Sequence, residues 1–245
     1  MSFSWTRVRA IVVKELRDYR RNRFVVVFTM TILPLLFITL PIVDLLTFPA
    51  SAAGSKLDDR IGISLLYMLL IPTIVPSTLA AYSVVGEREQ GTLEPILITP
   101  IRREEFLVGK ALAVAAPTLV VAYAIFGVFL AVAALFAHAE ISSAVFEGSH
   151  LLVQLLFTPL LVGWSIWVGI AISARSTDVR VAQQLSVFAS LPPLAVVALL
   201  SFKVITPSTG LSLGLAAVLL TIDGLGSRAV AAMFDRERLV AGTRT

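Results

Sequence analysis

Residues 111–136 read ALAVAAPTLVVAYAIFGVFLAVAALF, twenty-six consecutive positions without a Lys, Arg, Asp, Glu or His. Wound as an α-helix, this stretch is about 39 Å long at 1.5 Å per residue, more than the roughly 30 Å hydrocarbon core of a bilayer. A run of that kind sets the fold class: an all-α integral membrane protein. Outward from it the pattern recurs, with apolar runs at 24–43, 61–85, 151–174, 184–202 and 207–226, which gives six transmembrane helices. Only Lys203 and Thr206-Pro207-Ser208 divide the last two, so residues 184–226 fit either two full spans or a re-entrant hairpin.

Composition agrees. Of 245 residues 57% are hydrophobic and 15% charged, and the mean hydropathy is +0.90, which excludes a soluble globular enzyme. The absence of cysteine excludes disulfides, thiolate nucleophiles, iron-sulfur clusters and cysteine zinc sites. The small-residue string Ala50-Ser51-Ala52 follows the first run, but the run and the basic stretch before it are too long for a cleaved signal.

Orientation follows from where the 20 Lys and Arg residues fall. All but Lys56, Arg60 and Lys203 lie before the first span or in the gaps after the second, fourth and sixth. Basic residues are retained on the cytoplasmic side, so both termini are expected there, in a bacterial or archaeal cytoplasmic membrane. Because these residues flank spans and form no separate basic domain, no nucleic-acid partner is expected; the bilayer itself is the partner of the apolar faces.

The first charged segment, residues 1–23, reads as an amphipathic helix lying in the membrane surface. At 100° per residue Trp5, Val8, Val12, Leu16 and Tyr19 share one arc, while Arg7, Lys14 and Arg21 cluster opposite. Two roles are open to it, a basic topology anchor or an interfacial helix coupled to a partner protein.

The polar stretch between the second and third spans, residues 86–110, reads GEREQGTLEPILITPIRREEFLVGK. Gly91 permits a bend, Pro95 limits helix continuation, and Thr99-Pro100 has the form of a helix N-cap followed by proline at the first helical position, so two short helices are expected. Glu87, Glu89, Glu94, Glu104 and Glu105 alternate with Arg88, Arg102 and Arg103 around an apolar set of Leu93, Ile96, Leu97, Ile98 and Ile101. A charged rim about an apolar centre is the composition of a docking surface.

Here the residues resemble a known family, the permease subunits of type 2 ABC exporters. The resemblance is carried by Glu87-Arg88, Gly91-Thr92, Glu94, Pro100 and Gly109-Lys110, by Lys14-Glu15-Leu16 with Arg20-Arg21-Asn22-Arg23 near the start, and by Phe234-Asp235-Arg236-Glu237-Arg238 near the end. It implies a single six-span permease domain over 1–245 whose loop, with Glu87, Arg88, Glu89, Gly91, Thr92, Glu94, Pro95, Thr99 and Pro100, is a coupling helix seated on a separate ABC ATP-binding subunit. It implies Trp5, Lys14, Glu15, Leu16, Tyr19 and Arg21 as the interfacial helix, and a second permease, a copy or a paralogue, completing the transporter. No cofactor is expected on this chain, since ATP and its Mg would be held by the partner. The string Gly86-Glu87-Arg88-Glu89-Gln90-Gly91-Thr92 has the glycine spacing of a phosphate loop but lacks its lysine. The resemblance implies outward transport and is nearly silent on cargo; spans without central charge suit an amphipathic or apolar one, such as a drug or lipid. A non-exporting immunity or sensing permease shares the same features.

Within the spans, charge is scarce. Asp223 is read as an interfacial residue near Arg228 that snorkels to water, leaving no charged group at the bilayer centre; an externally powered transporter then fits better than a proton-coupled one. Pro192-Pro193 is a possible hinge that breaks the fifth span. Gly210 and Gly214 form a small-xxx-small pair for helix packing, inside the subunit or across a dimer. Trp164 and Trp167 are read as packing or lipid-facing residues. Gly163-Trp164-Ser165 begins like a serine-hydrolase elbow, but Trp167 replaces the second glycine, and His138 and His150, the only histidines, lie on the outer side.

Overall fold

A computed structural model describes residues 3–47, 55–89, 91, 101–202 and 209–233. Among them there are helices and no strands. Helix α1 is Trp5–Arg21. Residues Phe24–Ile32 wind as a π-helix and continue into α2, Leu33–Thr47. Then follow α3, Ser55–Glu89; α4, Arg103–Phe136; the short α5, Ala139–Val145; α6, Gly148–Arg175; α7, Val179–Ser201; and α8, Thr209–Met233.

Six of these are long and apolar enough to cross a membrane: Val25–Thr47, Asp59–Glu89, Arg103–Phe136, Gly148–Arg175, Val179–Leu199 and Thr209–Met233. Residues 179–233 thus hold two full-length helices rather than a re-entrant hairpin. The spans also run further than the uncharged stretches, because α3 and α4 carry their helices through polar residues to Glu89 and from Arg103. At that end, here called the basic end, lies α1 packed against α4.

Helix α3 is the central element, the most buried of the six, packed against α6 and α7 on one side and α2 and α4 on the other. Close approach to α6 depends on Gly169, where a Cβ would come within 2.7 Å of the Ala80 methyl. The basic half of the core joins Ile71, Val75, Val84, Phe106, Val114, Ile166 and Ile170. A second cluster, around Met68, Phe126 and Phe129, fills the opposite half, where the Asp44–Arg60 ion pair links α2 to α3.

The helices keep their course through their prolines, including Pro192 and Pro193, so α7 is not broken there. Proline cannot donate to the carbonyl four residues back. Two of the carbonyls freed in this way find donors on neighbouring helices. Pro193 frees Ala189 O, which accepts the Trp164 indole N–H at 3.2 Å, and Pro159 frees Leu155 O, which accepts the Tyr123 hydroxyl at 3.1 Å. Trp164 therefore has a task at the α6–α7 contact beyond filling space.

Candidate functional site

The polar residues of the basic end converge on one point. Gly109 on α4 lets α1 come close, since a Cβ there would stand 2.8 Å from the Ile11 Cβ. The next residue, Lys110, is wholly buried, and its Nζ donates to Glu15 Oε1 at 3.1 Å and to the Ser83 carbonyl at 2.7 Å. It also lies 3.1 Å from Glu87 Oε2 and 4.9 Å from the centre of the Phe106 ring. From the rim, Lys14 Nζ reaches Glu87 Oε1 at 2.6 Å, Glu15 Oε1 at 3.1 Å and Asp18 Oδ2 at 3.5 Å. Two lysines thus neutralise two buried glutamates, with α1, α3 and α4 each contributing a charge.

The electrostatics follow. Burial works against the ionised Glu15 carboxylate, but Lys110 and Lys14 outweigh it and hold its pKa below the usual value. Lys14 is opposed by the same desolvation, and Glu15 and Glu87 raise its pKa above the ordinary lysine value. Tyr19, buried beside them, is raised by burial first and by the Glu15 and Glu87 charges second. A polar cavity of about 270 Å³ adjoins the cluster, lined by residues that include Tyr19, Arg21 and Asn22 of the α1 end and Tyr82 of α3.

A second lock holds the start of α1. Glu105, wholly buried, accepts both Arg7 Nε and Arg7 Nη2 at 2.7 Å, the Ser4 backbone N–H at 2.7 Å and the Arg102 N–H at 3.1 Å. The paired hydrogen bond raises the Arg7 pKa. Glu105 also caps its own helix, which begins at Arg103; Ile101 and Arg102 are not helical.

The triplet Glu87-Arg88-Glu89 is divided among three neighbours. Glu87 belongs to the lysine cluster. Arg88 donates to Ser176 O at 2.9 Å and Ala174 O at 3.2 Å, capping the C-terminal end of α6. Glu89 accepts the Val179 N–H at 3.1 Å, the first donor of α7. Just before the triplet, Ser173 of α6 inserts its hydroxyl into α3, donating to Ala81 O at 2.5 Å and accepting from Val84 N and Val85 N at 3.1 and 3.0 Å. The last turn of α3 is therefore tied to α1, α4, α6 and α7 together. Gly91, with φ +68, makes the left-handed turn that ends it. Thr92, Glu94, Pro95, Thr99 and Pro100 lie outside the described residues, as does Phe234-Asp235-Arg236-Glu237-Arg238.

Helix α1 divides the apolar arc between a protein-facing and an open side. Its buried face is Val8, Ile11, Glu15 and Tyr19, while Trp5 and Leu16 are exposed and Arg21 lies at the rim. Lys14 sits in the cluster rather than on a solvent face. The cause is Glu15: two lysines on the protein side draw a carboxylate into the contact, and hydrophobic periodicity assigns such a residue to water.

The reading of Asp223 also changes. Helix α8 runs on to Met233, so Asp223 is about 15 Å inside its end, and only 8% exposed. Its carboxylate packs against Gly163, Arg228 does not pair with it, and Oδ1 has no hydrogen-bond partner among the described residues. Asp223 is thus enclosed by the chain and does not snorkel to water. Ser165 is wholly buried on α6, about 22 Å from His150 on the same helix, so the serine and histidine of the hydrolase reading do not meet. Gly210 and Gly214 are exposed, with nothing of the described chain within 4 Å of a Cβ at either.

What the sequence reading missed are the partners of the motifs. Gly109-Lys110 and Lys14-Glu15 are visible as strings, yet nothing in the sequence states that Lys110 meets Glu15. Arg7 and Glu105, 98 positions apart, give no sequence signal of pairing.

No curated protein matches this sequence. A family model does: the one described as ABC-2 family transporter protein matches residues 9–220, from within α1 to within α8, and so takes in the Lys110 cluster, the first five spans and the first half of the sixth. On that match, and with six membrane-length helices on the page, the chain belongs to the ABC-2 family of transporter proteins, as a multi-pass transmembrane subunit of an ABC transporter.

Proposed function

We propose that this chain is the permease subunit of an ATP-driven exporter that moves an amphipathic or apolar cargo out across a bacterial or archaeal cytoplasmic membrane. Its basic end faces the cytoplasm, in keeping with the distribution of Lys and Arg. A separate ATP-binding subunit docks on the loop between α3 and α4, and a second permease completes the pair. Gly210 and Gly214, open on α8, offer a close-packing stripe to that second copy.

The observation that carries the reading is the way the loop is anchored. Both of its ends, Glu89 and Arg103, are continuous with spanning helices, and those helices are joined to each other and to α1 through Lys110, Glu87 and Glu15. A force on the loop is therefore delivered close to these ties. It passes into α3, the central helix, and through Arg88 and Glu89 into α6 and α7. The triplet Glu87-Arg88-Glu89 thus transmits motion, and direct contact with the ATPase falls to the residues beyond Gly91, with Glu94 among them.

The test is gentle-detergent purification of the tagged chain from its native membrane, with mass spectrometry of co-purifying proteins and an ATPase assay. A stoichiometric ATPase, lost in Glu94→Lys, is the expected result. A chain that purifies alone and inert towards ATP, under conditions that preserve other membrane complexes, overturns it.

A further inference from the structure

We propose that the cavity between α2 and α3, at the end of the molecule away from the basic end, binds a phospholipid whose headgroup carries a primary amine. The site needs the exporter reading only to say which leaflet supplies the lipid.

The cavity holds about 500 Å³, within the range of small-molecule sites. Its lining runs from Leu40 to Thr47 on α2 and from Arg60 to Tyr67 on α3, at i, i+3, i+4 and i+7 on each helix, with Pro41 alongside. Residues so spaced share one helical face, so two stripes form the walls of a groove along the helices. The groove changes character with depth. Asp44 and Thr47 belong to the last turn of α2 and Arg60 to the second turn of α3, while Leu40 and Ile63 lie one turn further in. Leu40, Val43 and Ile63 are exposed on the surface of the chain, so in a bilayer the groove opens on lipid.

The polar groups at its mouth are of both kinds. Arg60 Nη1 donates to Asp44 Oδ1, with the arginine side chain half exposed and the aspartate partly so. A guanidinium has five N–H donors in a planar fork that matches phosphate oxygens, and a carboxylate has a second oxygen to accept with. Thr47 spends its hydroxyl proton on Val43 O at 2.7 Å, so towards a ligand its oxygen can only accept. A molecule in the groove therefore meets a cationic donor and two acceptors at the mouth, above an apolar floor. A phosphate that carries a protonated primary amine answers all of these: its oxygens to Arg60, its ammonium N–H groups to Asp44 and Thr47, its acyl chain along Leu40, Pro41 and Ile63. A choline headgroup has no N–H to give the two acceptors, and a glycerol headgroup brings Asp44 no positive charge.

The experiment is native mass spectrometry of the delipidated full chain, titrated with phosphatidylethanolamine, phosphatidylcholine and phosphatidylglycerol that share the same acyl chains. Phosphatidylethanolamine should bind at least about tenfold more tightly than either of the others, the contribution of one hydrogen bond to a charged group. Asp44→Asn should bring that preference to about twofold or less, and Arg60→Gln should weaken all three lipids, since each has the phosphate. Thr47→Val leaves the ion pair in place and should by itself cut the preference over phosphatidylcholine about threefold, which keeps the test open if a charge variant does not fold. Equal affinity of the wild type for the three lipids overturns the proposal without any variant, and so does a preference unchanged in both Asp44→Asn and Thr47→Val. Glycerophosphoethanolamine, the same headgroup without acyl chains, should compete at least about tenfold less well than the lipid, because each buried methylene adds roughly fourfold. Equal competition would make this a site for a soluble zwitterion and overturn the lipid assignment. The same spectra read the mass of the assembly. Leu40→Trp, which fills the groove, should remove bound lipid and leave the number of chains unchanged; loss of a second chain instead would assign the groove to a subunit contact and overturn the proposal. No ATPase takes part in this assay. A chain that prefers the amine lipid yet has no ATPase partner refutes the exporter reading alone, and a chain that has the partner but no lipid preference refutes this site alone.

Discussion

Lys110 of α4 and Glu15 of α1 are 95 positions apart, and Nζ and Oε1 meet at 3.1 Å where neither side chain is open to water. The pair sits where three helices meet, with Glu87 of α3 on the same lysine. Removing one member of such a cluster leaves the others as uncompensated charge, which costs far more than the cluster contributes over an apolar replacement.

Lys110→Met should therefore be strongly destabilising, by about 3–5 kcal/mol, because Glu15 and Glu87 then lose the buried lysine between them. Adding Glu15→Gln should recover part of the loss, since one lysine and one glutamate remain. Thermal unfolding of the purified variants in one detergent checks both statements. A double variant less stable than Lys110→Met would show that Glu15 is not held by that lysine.

The cluster also fixes a pH window. Glu15 has its pKa lowered in the folded chain, so its stabilisation is present above the ordinary glutamate value and is lost as pH falls through the folded value. Lys14 is raised, so its contribution is present below the ordinary lysine value and is lost as pH rises through the folded one. The melting-temperature gap between wild type and Glu15→Gln should hold from about pH 5 to pH 9 and close towards acid, below about pH 4. A gap that widens as pH falls would contradict the assignment.

Trp164 and Pro193 make a testable pair. Proline removes the donor that Ala189 O would have had, and the Trp164 indole replaces it. Trp164→Phe should cost about 1–3 kcal/mol for the unsatisfied carbonyl, beyond its packing loss. In a Pro193→Ala background the backbone N–H returns, and the same substitution should cost less. Equal cost in both backgrounds would mean that the indole bond adds nothing.

The six spans were legible because a run such as 111–136 has few other fates, and the positions of the basic residues fixed which ends belong together. The helix ends were not, because Arg103–Lys110 looks like loop by composition yet is helical, held by the Glu105 cap and by buried ion pairs. Hydropathy assigns every charge to water, so it did not foresee that Glu15 and Asp223 would be buried against other helices. Gly224, Gly226, Ser227 and Arg228 read as the end of the last span, but α8 continues through them. Where a residue's fate depends on a partner a hundred positions away, local pattern carries no information about it.

Gly210 and Gly214 predict where a second copy packs. They are one turn apart on an exposed face of α8, and no described residue comes near them. Gly214→Leu should lower the yield of cross-linked dimer in membranes without changing the melting temperature of the single chain, because the added side chain meets nothing of its own subunit. Loss of single-chain stability would place the stripe against this chain instead.

Gly109 tests whether α1 and α4 move as one body. Its missing Cβ is what allows Ile11 to rest on α4, and Lys110 reaches Glu15 one turn further along α1 only because the helices touch there. In Gly109→Ala the new methyl would stand 2.8 Å from the Ile11 Cβ, a backbone-borne atom that cannot rotate away, so α1 must shift. Overpacking of this kind costs about 1–3 kcal/mol. The ion pairs should loosen with it, exposing Lys14, Arg17 and Arg20 to trypsin faster than in the wild type. Ile11→Gly removes the opposing carbon, and the pair Gly109→Ala with Ile11→Gly should regain trypsin resistance even though each substitution alone loosens the helix. Failure of that rescue would mean that the contact is incidental and that the charges alone hold α1 in place.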